Sequence, residues 1–147
     1  MIGKVAIGLQ NFADIRSRNI FYVDKTYFIR DWWEQEDSVT LVTRPRRFGT
    51  TLNLSMVECF FSNRYADRAD LFEGLSIWQE ESYRRLQGTY PVIFLSFAKV
   101  KASDYQGMEY SIANIIFDVY QQNRYLLEGD ILSENEKEYF NSIRPGM

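Results

Sequence analysis

A run rich in β-branched residues, Ser38-Val-Thr-Leu-Val-Thr43, leads directly into Arg44-Pro-Arg-Arg-Phe-Gly49, and beyond it Leu52, Met56, Cys59 and Phe60 recur at helical spacing. The reading is a strand, a loop punctuated by Pro45 and Gly49, and a helix from about Thr51 to Ser62. That order constrains the fold strongly. Strands alternating with helices imply a parallel sheet with crossover helices.

The rest of the chain extends this pattern. Pro91-Val-Ile-Phe-Leu-Ser-Phe97 is a near-continuous apolar run, which suits a central parallel strand covered on both faces. Helical spacing marks Phe12 to Arg16, the segment after Lys25 through Trp33, Ile77 to Leu86 before Gly88, and Met108 to about Leu127. Asp24 stands where a cap of the second helix belongs. Val5 to Gly8 reads as a short extended piece, and Tyr65 to Leu75 as loop with a turn of helix. Ser133 with Glu136 forms a capping-box pair before a last helix containing Tyr139 and Phe140. The expected architecture is α/β, a parallel sheet with flanking helices. Only two strands are firm, and two make a poor sheet alone.

The residue inventory excludes several chemistries. The chain has 147 residues, the length of one domain, and 24 of them are Phe, Tyr or Trp, enough to build a core. It has no histidine, which removes Ser-His-Asp and Cys-His nucleophile systems and the commonest zinc ligand. The single cysteine, Cys59, lies in an apolar helical pattern and reads as a buried, inert thiol. A net charge of -3 argues against wholesale wrapping of nucleic acid. No apolar run reaches membrane-spanning length and no signal peptide is evident, so a cytoplasmic protein is expected.

A phosphate loop needs Gly-x-x-x-x-Gly-Lys-[Ser/Thr] between a strand and a helix, so that backbone amides surround the phosphates, the lysine reaches the terminal ones and the hydroxyl holds magnesium. The window Arg44 to Thr51 lies in that setting. Gly49 and Thr51 match, Arg44 replaces the first glycine, and Thr50 replaces the lysine. Taken alone, these two matches describe a polar turn as well as a phosphate loop.

The wider string adds to this. Tyr22-Val-Asp-Lys-Thr26, Leu41-Val-Thr-Arg-Pro-Arg-Arg-Phe-Gly49, Thr51-Leu-Asn-Leu-Ser-Met56, Leu71-Phe-Glu-Gly-Leu75 and Tyr90-Pro-Val-Ile-Phe-Leu-Ser-Phe97 resemble the bacterial AAA-ATPase-like family, over about Ile7 to Phe140. The resemblance implies that residues 1–147 are the N-terminal portion of such a domain, an incomplete α/β P-loop NTPase-like parallel sheet with flanking helices. The resemblance implies ATP as ligand, held by Arg44, Arg46, Arg47, Phe48, Gly49, Thr50 and Thr51, with Mg2+ on the Thr51 hydroxyl. Arginine at position 44 is usual in the family, whereas position 50 is lysine in its pattern. Members continue into an acidic Walker B strand, and many carry a restriction-endonuclease-like nuclease domain. The one local imitation of Walker B, Ile115-Ile-Phe-Asp118, follows helical spacing, so Asp118 reads as a solvent-facing helix residue.

Threonine at position 50 brings no positive charge to the phosphates, so ATP and Mg2+ binding is expected to be weak or absent and hydrolysis negligible. No residue is assigned a catalytic role. Arg44, Arg46 and Arg47 stand either on phosphate oxygens or in solvent and against acids; the residues alone do not decide which. The alternative function is a protein-interaction module that keeps the architecture without nucleotide. An unpaired sheet edge would favour self-association or pairing with another chain.

Overall fold

A computed structural model describes residues 11–43, 50–97 and 100–146, with the backbone alone at Thr50. The chain divides into two compact units, Met1–Val92 and Ile93–Met147.

In the first unit, α1 (Phe12–Ser17) and α2 (Tyr27–Gln35) precede α3 (Thr50–Phe61), and short 3-10 turns at Asn63–Tyr65, Ala69–Phe72 and Ser76–Gln79 lead to α4 (Glu81–Leu86). The helix α3 is apolar around most of its circumference, and it forms the centre of the core. Met56, Cys59, Phe60 and Phe61 on it are buried with Phe12, Ile29, Leu71 and Phe72. The packing is aromatic. Phe12 stacks on Phe72 with ring centroids 5.1 Å apart, and Phe60 meets Phe72 edge to face at 5.1 Å. Trp33 stacks on Phe61 at 5.3 Å while Trp32 meets the same ring edge-on at 5.7 Å. The two adjacent tryptophans thus share one partner, and neither is fully buried.

The second unit holds α5 (Tyr105–Gln122), a 3-10 turn at Arg124–Leu127, and α6 (Glu134–Ser142). Asp104 caps α5 by accepting the Gly107 N–H at 2.9 Å. The capping box of α6 is formed as the sequence implies. Ser133 Oγ accepts the Glu136 N–H at 3.2 Å, and Glu136 Oε2 accepts the Ser133 N–H at 2.8 Å. Asp118 is exposed on α5, as its spacing suggests.

The parallel sheet and the α/β class expected above are not formed among the described residues. Between described residues an isolated parallel bridge joins Ser62 and Tyr90, closed by Asn63 N–H to Tyr90 O at 2.8 Å and Tyr90 N–H to Phe61 O at 2.9 Å. Neither strand candidate joins a ladder. Val39 and Leu41 are 88% and 85% exposed, and Ile93 and Phe97 are 66% and 57% exposed. A β-branched sequence favours a strand by fitting a half-buried pleated surface beside neighbours. Here no described neighbour supplies that surface, and the aromatic helices build the core instead.

Candidate functional site

The site implied by the sequence is the junction where the loop after Thr43 enters α3. Arg44, Arg46, Arg47, Phe48 and Gly49 lie outside the described residues. What is described is the entry to α3, which begins at Thr50 directly after that loop. The first four amides of any helix lack intrahelical partners, and the aligned peptide dipoles leave that end positive. The first turn of α3 holds no acidic residue to compete for those amides, and Thr51 is exposed on it. This end can receive an anion. The setting differs from the expected one, because no sheet stands behind the junction among the described residues.

Two contacts fix the helix that carries this end. The Phe12 N–H donates to Ser55 Oγ at 3.0 Å in a buried contact. The Tyr22 hydroxyl donates to Met56 Sδ at 3.1 Å, and burial pushes the Tyr22 phenol up to about 12, so it stays protonated. On the approach to the loop, Trp32 Nε1–H donates to Thr40 Oγ1 at 3.0 Å, which ties that segment to α2.

Asp24 ties two separate segments together rather than capping α2. Its Oδ1 accepts the Thr26 N–H at 2.9 Å and the Thr26 hydroxyl at 2.6 Å, and its Oδ2 accepts the Ser76 N–H at 2.7 Å. Thr26 is fully buried, and its Oγ1 also accepts the Ile77 N–H at 3.1 Å. Thr26, rather than Asp24, occupies the N-cap position of α2. The carboxylate therefore joins the start of α2 to the 3-10 turn at Ser76–Gln79. Sequence reasoning did not find this cluster. The quoted strings Tyr22 to Thr26 and Leu71 to Leu75 bracket it, but nothing in either indicates that they meet.

No group of three or more His, Cys, Asp or Glu side chains placed to hold a metal occurs among the described residues. Cys59 is buried, and burial pushes its thiol up to about 11, which leaves it the inert thiol the pattern implies. Among the described residues no helix is long and apolar enough to cross a membrane.

The chain belongs to the family described as Predicted AAA-ATPase, which it matches over residues 6–144. It is 36% identical over 115 residues to a protein of Azotobacter chroococcum mcd 1 described as an uncharacterized protein in the vnfD 5' region. That match takes in 77% of this chain and 20% of the other protein, so the chain spans about a fifth of the length of this relative. No solved structure gives a significant match.

Proposed function

We propose that residues 1–147 are the phosphate-binding front of an ATP-binding domain in a cytoplasmic protein. The loop Arg44–Gly49 and the first turn of α3 take the phosphates, and hydrolysis is impaired. The observation that carries this reading is the entry of α3 at Thr50, free of acidic residues in its first turn and directly after the arginine-rich sequence 44–49. A helix start of this kind favours anions through its open amides and dipole. Arginine forks on the loop would add charge-assisted contacts to phosphate oxygens.

The residues fit the anion better than the metal. Mg2+ would rest on the exposed Thr51 hydroxyl and the nucleotide's own oxygens, since the described residues hold no acidic cluster for it. A bound Mg2+ supplies charge neutralisation between phosphates. Thr50 supplies a hydroxyl where a lysine would supply a charge. The missing contact weakens binding by about 1.5–3 kcal/mol, roughly ten- to a hundredfold.

Calorimetric titration with ATP and Mg2+ tests this reading. Weak, Mg2+-assisted binding without phosphate release is expected. Low-micromolar affinity or steady turnover would refute the impairment.

The exposed apolar residues Val39, Leu41, Ile93, Leu95 and Phe97 favour a second reading. In it the chain is an interaction module that pairs with another chain through these segments and needs no nucleotide. Light scattering across a concentration series separates the two, because only the module self-associates whether or not ATP is present.

A further inference from the structure

The second unit contains an apolar groove of about 530 Å³, lined by Val119 and Tyr120 of α5, Leu126 and Leu132 of the connection, and Tyr139 and Phe140 of α6. Tyr120 and Phe140 meet edge to face at 4.9 Å in its wall. The volume falls within the range of ligand-sized pockets, about 300–1,000 Å³, and so suits a few side chains rather than a broad face.

The elements that form this groove are acidic on balance, and Glu136 stands in its lining. The connection and helix that form its wall carry Glu128, Asp130, Glu134, Glu136 and Glu138 against Arg124 and Lys137. Lys137 is already engaged: it donates to the Gly129 carbonyl at 2.8 Å and lies 3.7 Å from Glu134. The Glu136 carboxylate is held by the capping box. Glu128, Asp130 and Glu138 make no ion pair among the described residues, and the Glu134 side chain is 94% exposed.

We propose that this groove docks an amphipathic helical segment of a partner chain, with an apolar face seated on Tyr120, Leu126 and Tyr139 and lysine or arginine residues flanking it. Apolar anchors at helical spacing fill such grooves, and complementary charge steers the encounter and excludes wrong partners. A second copy of this chain is disfavoured as the occupant, since it would bring the same acidic wall against itself.

The test uses the full chain and fluorescein-labelled designed peptides in an anisotropy titration. One peptide has leucines at i, i+3, i+4 and i+7 among lysines, a second is its scrambled permutation, and a third carries glutamate for lysine. The first is expected to bind saturably, and the other two at least about tenfold more weakly. Tyr139→Ser, at a position 65% exposed, should weaken the first peptide by about tenfold without unfolding the chain. Glu134→Gln with Glu138→Gln should weaken it and flatten its salt dependence. Equal binding of the scrambled peptide, binding of none of the three, or a concentration-dependent dimer that excludes the peptide would each overturn the proposal.

Discussion

The Asp24 carboxylate receives the backbone N–H of Ser76 at 2.7 Å, across 52 residues of sequence, while also holding Thr26. Burial by itself raises this carboxyl, but the hydrogen bonds from Thr26 and Ser76 outweigh it and leave the group below its ordinary value of 3.8. A depressed carboxyl adds stability that is complete above its unfolded pKa and is lost as pH falls through the folded one. The Asp24 contribution is therefore present at neutral pH and disappears only below pH 3.8. Asp24→Asn should cost about 2 kcal/mol in urea unfolding at neutral pH. It should also flatten the acid limb of stability against pH; an unchanged acid limb would show that the bonds to Ser76 and Thr26 carry no net weight.

Gly88 has φ +72°, and a Cβ added there would collide with the Ala66 backbone. Its N–H donates to Phe60 O at 2.7 Å, so the position cannot shift without loosening the end of α3. Gly88→Ala combines left-handed strain with overpacking and should destabilise the chain by more than about 2 kcal/mol. Thermal unfolding checks this, and a variant with an unaltered midpoint contradicts it.

Glu36 ends α2 in the left-handed region at φ 53°, with its N–H bonded to Trp33 O. A non-glycine residue pays a steric cost in that conformation, and the Glu36 side chain is exposed. Glu36→Gly should stabilise the chain by up to about 1 kcal/mol, offset in part by the greater freedom of glycine when unfolded. Urea denaturation that shows a loss of stability would argue against the left-handed end.

Thr50→Lys restores the charge that the nucleotide reading says is missing. ATP affinity should rise about ten- to a hundredfold in calorimetry. If affinity does not change, phosphate binding at the entry of α3 is not limited by position 50. Thr51→Ala, at an exposed position, should remove the Mg2+ dependence of binding and change stability by less than about 0.5 kcal/mol.

Much of the helical framework was legible in the residues. Spacing located α1, α2, α3 and the long α5, and it assigned Asp118 to an exposed helix face and Cys59 to the core. Boundaries were less legible. The helix read over Ile77 to Leu86 is a 3-10 turn at Ser76–Gln79 followed by α4, and α5 ends at Gln122 with a separate 3-10 turn after it. At the candidate site the helix entry at Thr50 was foreseen within a residue, while the partner of Asp24 was not.

The sequence by itself determined what neighbours within a turn or two decide: helix periodicity, the capping box of Ser133 and Glu136, and the apolar character of α3. Each depends on residues three or four positions apart, where the chain's own geometry brings them together. Only the tertiary structure decided whether Val39 to Thr43 and Pro91 to Phe97 pair, and where the Asp24 carboxylate is spent. A ladder and a carboxylate bridge both need a partner distant in sequence, and a local pattern records the capacity for that contact without naming who makes it.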